Sequence, residues 1–278
     1  MHGLGNDFVV FPQFTVLPKN AGELAIQLCD RNFGIGADGL VFILPSETAD
    51  VRMRIMNADG TEAEQCGNAI RCVAKYAYDY QLVNSNLLSI QTEAGVQKVE
   101  LHLDESGKRV YSVTVDMGEP ILEGKLIPST LDQPLIIEQP INVDERTFKY
   151  TAVSMGNPHA IIYVDDAANF EVEKWGPQIE THPLFPKKTN VEFVNIISDE
   201  LVIMRVWERG VGQTLACGTG ACATAVASVL NKMTKRVVTV SLKGGDLIIE
   251  WNEVDNHVYM TGEATEVFRG TIDVVVLN

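Results

Sequence analysis

The chain has 278 residues, 46% of them hydrophobic and 21% charged, a composition that suits two domains of ordinary size with apolar cores. A net charge of −15 excludes a nucleic-acid backbone as partner, because phosphates require a basic surface. No apolar run reaches the roughly 18 residues of a membrane span, and no basic stretch leads into an apolar one at the N-terminus; a cytoplasmic protein is expected.

AGELAIQLCDR (21–31) spaces its apolar residues for a first helix. GIGADG (34–39) comes next, a literal G-x-G-x-x-G. A dinucleotide site needs that motif to follow a strand and open a helix, whereas here it follows a helix and opens the apolar run LVFIL, so it is set aside. Strands are predicted at 40–44 and 51–56, then a helix opening at Cys66, then strands at 97–103 and 110–115. From Gly118 to Pro140 the pattern loosens and proline recurs, which reads as a linker. Strands at 191–197 and 201–207 lead to a second helix opening at Cys217, with strands at 237–242, 246–251 and 272–277 beyond it. Strands dominate, so an α+β fold with mostly antiparallel sheets is expected rather than a doubly wound one.

Laid on itself with a shift of 151 residues, the chain repeats. VRMRIM (51–56) falls on VIMRVW (202–207), Cys66-Gly67 on Cys217-Gly218, Gly5-Asn6 on Gly156-Asn157, and Gly39-Leu40 on Asn190-Val191. After a one-residue adjustment, Cys72 matches Cys222, Gly95 matches Gly245 and Glu100 matches Glu250. One shared offset predicts two homologous, pseudo-twofold-related domains, each with its sheets wrapped around a central helix. The expected boundaries are 1–115 plus a C-terminal strand at 267–278 for the first, and 116–266 for the second, with the active site in the cleft between them. The period is far too long for a solenoid.

Five cysteines, an odd number with no C-x-x-C pair, argue for reduced thiols and against a disulfide framework or a zinc site. His2, His102, His182 and His257 show no ligand spacing, so no metal is expected. QCGNAIRCVAKYAYDY (65–80) and ACGTGACATAVASVL (216–230) each set a cysteine where a helix begins. Unpaired N–H groups and the positive end of the helix dipole favour a thiolate there and also cradle a carboxylate. Two such thiols on opposite faces of one carbon could invert it, one removing a proton and the other returning one. Cys29, Cys72 and Cys222 are read as structural.

MHGLGNDF (1–8), NADGTEAEQCGNAIRC (57–72), GNPHA (156–160) and ERGVGQTLACGTGACA (208–223) resemble the signature segments of the diaminopimelate epimerase family, and the likeness spans nearly the whole chain. It implies a cytoplasmic homodimer of the lysine and peptidoglycan precursor pathway that interconverts LL- and meso-2,6-diaminopimelate with neither pyridoxal phosphate nor metal. It implies Cys66 and Cys217 as the catalytic pair, with His159 and Glu208 tuning the thiols. It assigns substrate contacts to Asn6, Asn57, Gly67, Asn68, Asn157, Asn190, Glu208, Arg209, Gly218 and Thr219. An ammonium and a carboxylate at each end of that substrate suit amides, a glutamate, an arginine and helix N–H groups.

The chain departs from the family pattern in four places. Gly39 stands where some members carry glutamine, Ala69 replaces a usual glycine, and Gln213 stands where glutamate is common. The family's first strand usually begins several residues before this Met1, so a shortened start is expected. The neighbouring alternative is another two-thiol racemase, such as a proline racemase or hydroxyproline epimerase. A different class, a thiol-redox or metal-binding protein, would use the same two cysteines.

Overall fold

The computed structural model describes residues 1–12, 15–64 and 66–273. Of the strand expected at 272–277, residues 274–277 lie outside the described residues, as does the end of the 267–278 segment. The chain divides into two compact units, Met1–Val115 together with the segment from Gly262, and Asp116–Thr261.

In the first unit run β1 (His2–Gly3), β2 (Asn6–Phe11), α1 (Ala21–Cys29), β3 (Gly39–Leu44), β4 (Val51–Asn57) and β5 (Glu62–Ala63). Then come α2 (Gly67–Asp79), β6 (Leu87–Thr92), β7 (Gly95–Leu103) and β8 (Val110–Asp116). The second unit holds β9 (Gln139–Val143), β10 (Arg146–Ser154), β11 (Pro158–Tyr163), α3 (Val172–Glu180), β12 (Asn190–Ser198), β13 (Leu201–Glu208) and β14 (Gly212–Gln213). It continues through α4 (Gly218–Leu230), β15 (Val237–Leu242), β16 (Gly245–Trp251) and β17 (Val258–Glu263). The fold is α+β, strand-rich and mostly antiparallel.

The internal repeat is visible in strand register. β2 and β3 pair in parallel with Phe8 opposite Gly39, and β11 and β12 pair in parallel with His159 opposite Asn190, 151 residues on. β3 and β4 set Leu40 opposite Met56, and β12 and β13 set Val191 opposite Trp207, at the same offset. β4 runs parallel to β6, as β13 does to β15, with Val51 opposite Ile90 and Val202 opposite Val240. Because one residue of slip would turn every side chain to the wrong face, a repeated register means that a repeated core pattern has been kept.

Each unit is organised around one helix. α2 packs on β1, β2, β4, β6 and β7, burying Ala69, Ile70, Cys72, Val73, Ala74 and Ala77. α4 packs on β10–β13, β15 and β16 and is buried without interruption from Gly220 to Ser228. A helix apolar on every side belongs inside a core. Its run of Gly, Ala, Ser and Thr lets strands approach from several directions.

Two sequence expectations need correction. The first helix stops at Cys29 rather than at residue 31, since Asp30 turns extended (φ −60, ψ 121) and its Oδ1 accepts from the N–H groups of Asn32 and Phe33. The stretch 118–140 is no linker. Ile127 and Ile136, each 1% exposed, sit in the core of the second unit with Ile141, Tyr150, Trp175 and Phe193. Ile121 exchanges both backbone hydrogen bonds with Ser154 (2.8 and 3.0 Å). Proline removes the periodicity there without removing the burial.

α3 lies tightly on β13. A Cβ added at Gly176 would stand 2.5 Å from Trp207 Cγ. Gly176→Ala is therefore expected to lower unfolding stability by about 1–3 kcal/mol, overpacking outweighing the better helix propensity. Urea unfolding reads it; a midpoint at or above that of the parent chain would mean that α3 lifts off Trp207 freely.

Candidate active site

Both cysteines occupy the N-cap of their unit's central helix in extended backbone, Cys66 at φ −150, ψ 112 and Cys217 at φ −128, ψ 109. Sulfur is a weak acceptor, so both thiols are poor caps, although the Gly220 N–H does reach Cys217.

In the first unit the structure brings Asn6, Cys66, Gly67 and Asn68 together. Asn6 Oδ1 lies 3.8 Å from Cys66 Sγ and accepts from Asn68 Nδ2 at 3.1 Å. Asn6 opens β2, opposite Gly3 of β1, and the first turn of α2 carries Asn68. Asn57, at the exposed end of β4, bonds elsewhere, donating to Thr61 Oγ1 (3.0 Å). Gly39 lies directly opposite it on β3.

The second unit groups Asn157, His159, Glu208, Cys217, Gly218 and Thr219. Thr219 Oγ1 lies 3.6 Å from Cys217 Sγ and accepts from Asn157 Nδ2 at 3.2 Å. Glu208 is bonded by Cys217 and by the Thr214 hydroxyl. His159 and Glu192 are both wholly buried, with Nδ1 2.7 Å from Glu192 Oε1 and Nε2 3.0 Å from Asn157 Oδ1. The other carboxylate oxygen of Glu192 is buried with no hydrogen-bond partner. A Cβ at Gly220 would lie 2.7 Å from Glu192 Oε1, so a larger residue there would require that carboxylate to shift.

Asn190 and Arg209 form a separate pair. Asn190 Oδ1 accepts from the Arg209 N–H (2.9 Å) while its Nδ2 donates to Pro158 O (2.9 Å). The Arg209 guanidinium is exposed, donating to Lys187 O. Glu180, which holds Trp207 Nε1 (2.7 Å) and Gly210 N–H (3.1 Å), pins the turn on which Glu208 and Arg209 stand.

Electrostatics overturn one sequence expectation. A helix start was expected to lower the thiol pKa, yet Cys217 stands well above its ordinary value. Burial is the largest cause, followed by the Glu208 and Glu192 carboxylates. The Thr219 hydroxyl and Gly220 N–H pull the other way and lose. Burial also raises the Glu208 carboxyl, against hydrogen bonds from Thr214 and Cys217. A dipole contributes roughly 0.3–2 kcal/mol, less than desolvation plus two nearby negative charges. Among the described residues, no three His, Cys, Asp or Glu side chains converge to hold a metal, and no helix is long and apolar enough to cross a membrane.

Sequence reading missed Asp38, Arg71 and Glu192. Asp38 lay inside the set-aside GIGADG motif. Glu192 had a signal, a lone acid within the otherwise apolar strand NVEFV (190–194).

A family profile described as diaminopimelate epimerase matches residues 1–123 and 151–267. A relative of that name from Acetivibrio thermocellus is 54% identical, covering 98% of this chain and 97% of its own. Another from Methanococcus maripaludis is 54% identical, covering 99% and 98%. Among solved structures, a probable proline racemase from Agrobacterium radiobacter K84 matches with a TM-score of 0.67 at 16% identity, covering 100% of this chain and 92% of that one. That likeness carries the fold alone.

With its thiol raised, Cys217 is expected to resist iodoacetamide in substrate-free protein through neutral pH and to label only in the alkaline range, since the thiolate is the nucleophile. Site-resolved mass spectrometry reads this. Rapid labelling of Cys217 at pH 7 would contradict the ordering of burial over helix dipole.

Proposed function

The chain belongs to the diaminopimelate epimerase family, and we propose that it inverts one α-carbon of LL-2,6-diaminopimelate to give the meso form, with Cys66 and Cys217 acting from opposite faces. The chain is an isomerase. The observation that carries the two-thiol reading is the duplicated cysteine that begins a buried helix, each with an amide side chain reaching the polar residue two positions on.

The reaction arises from that pairing. One cysteine, as thiolate, takes the α-proton and becomes a thiol, while the other delivers its proton to the opposite face and becomes a thiolate. No electrons leave the substrate; the exchanged protonation is set for the reverse reaction, and another forward turnover follows once the proton taken from the substrate is given up and the spent acid is reprotonated. Cys217 enters as the acid, because its burial keeps the proton on sulfur. Glu208, bonded to Cys217 and itself raised, is the group suited to take that proton when Cys217 must act as base. Helix N–H groups at Gly67, Asn68, Gly218 and Thr219 receive the α-carboxylate and stabilise the charge that develops when the proton leaves. Asn157 and Glu208 suit the ammonium group, and the exposed Arg209 guanidinium suits the distal carboxylate. Asn6, Asn57 and Asn190 complete the assigned contacts, and His159, held by Glu192, is assigned a share in tuning the thiols. The protein acts in this reading as a cytoplasmic homodimer in lysine and peptidoglycan precursor synthesis.

Solvent deuterium incorporation into diaminopimelate tests the assignment. The parent chain is expected to exchange and invert, whereas Cys66→Ala and Cys217→Ala each lose inversion by about 10²–10⁴-fold. Normal epimerisation by either variant would end the two-base account. Dialysis against a chelator, in the presence of reductant, is expected to leave turnover unchanged; loss of turnover restored by a metal ion would favour the metal-binding alternative.

A further inference from the structure

The first unit contains a hydrogen-bond chain whose direction is set by its two ends. Arg71, 0% exposed, donates from Nη2 to Asn68 Oδ1 at 3.0 Å. Asn68 Nδ2 donates to Asn6 Oδ1 at 3.1 Å, and Asn6 Nδ2 donates to Asp38 Oδ2 at 2.7 Å. Asp38 also accepts from the Asp7 N–H (3.1 Å) and from Arg31 (2.8 Å), and Arg31 pairs with Asp7 as well (2.8 Å). A guanidinium only donates and a carboxylate only accepts. Neither amide between them can turn over without setting donor against donor or oxygen against oxygen. The polarity leaves Asn6 Oδ1 facing Cys66 Sγ at 3.8 Å. An amide oxygen in that place accepts a hydrogen bond from a thiol and opposes a thiolate.

The second unit ends its chain with other groups, Asn157 Oδ1 facing His159 Nε2 (3.0 Å) and His159 Nδ1 facing Glu192 (2.7 Å). Thr189 stands at the offset of Asp38, and Ala221 at that of Arg71 after the one-residue adjustment. Asn157, the counterpart of Asn6, turns its Nδ2 toward Thr219 on the side of Cys217.

We propose that Asp38 and Arg71 are positioning residues that lock the amide of Asn6, so that its carbonyl oxygen keeps the proton on Cys66 in the substrate-free protein, a proton that passes to solvent before Cys66 acts as the base. The proposal rests on the epimerase reading for the roles of Asn6 and Cys66. The locked amide gives the two thiols different settings, one governed by an oriented dipole and the other by burial.

Asp38→Asn tests this, keeping size while removing the charge and the acceptor-only character. Reduced, substrate-free protein is labelled with iodoacetamide at neutral pH and each cysteine followed by peptide mass spectrometry. Cys66 is expected to label on the order of tenfold faster than in the parent chain, with Cys217 unchanged. Asp38→Ala, which deletes the acceptor, is expected to move Cys66 the same way. An unchanged Cys66 rate in both variants overturns the proposal, and so does an equal acceleration at both cysteines, which reports loosening rather than a lost dipole. Labelling needs no substrate, whereas deuterium exchange by the parent chain judges the epimerase reading, so the two fail separately.

Discussion

A residue that begins a helix normally satisfies the exposed N–H groups with its own side chain. Here a cysteine holds that position twice, in extended backbone, and its sulfur is a weak acceptor. The surroundings of each helix start are shaped by this constraint. The helix must lie deep enough for packing to hold its first turn in place, hence the buried faces of α2 and α4. The residues after each cysteine must be small or polar, hence Gly67-Asn68 and Gly218-Thr219-Gly220.

The same helix start does not produce the same sulfur. Around Cys217, burial and the carboxylates of Glu208 and Glu192 outweigh the dipole and hold the proton on. Cys66 is only partly buried, and an oriented amide oxygen lies 3.8 Å from its sulfur. Duplication supplied the frame, while residues that differ between the halves set the chemistry: Phe8 against His159, Val41 against Glu192, Asp38 against Thr189.

Much of this was readable from residues alone, because the informative patterns were local. Alternating apolar residues marked strands such as Val51–Asn57 and Leu201–Glu208, and the 151-residue offset anticipated their common register. The helix at Val172–Glu180 carries Gly176 and Pro177, which hide the helical period, and it went unrecognised. Ile127 and Ile136 looked like linker residues because burial without periodicity leaves no local trace. The proton affinity of Cys217 was misjudged for a related reason: dipole and thiol are neighbours in sequence, whereas desolvation and the Glu192 carboxylate arrive only with the folded sheet. Asp38 matters through Asn6, 32 residues away, a pairing that no spacing rule anticipates.

The chain order has its own effect on assembly. The segment from Gly262 is made after the second unit, yet it belongs to the first. Within that unit Thr265 exchanges backbone hydrogen bonds with His2, the Glu263 carbonyl receives Arg71 Nε, and Glu266 receives the Tyr80 hydroxyl. A ribosome working from the N-terminus releases everything needed to close the later unit before it releases the piece that finishes the earlier one. The half bearing Cys217 can therefore mature first. The half bearing Cys66 stays open-ended until the last stretch of polypeptide emerges, and a nascent chain clipped before residue 262 would deprive His2, Arg71 and Tyr80 of those partners.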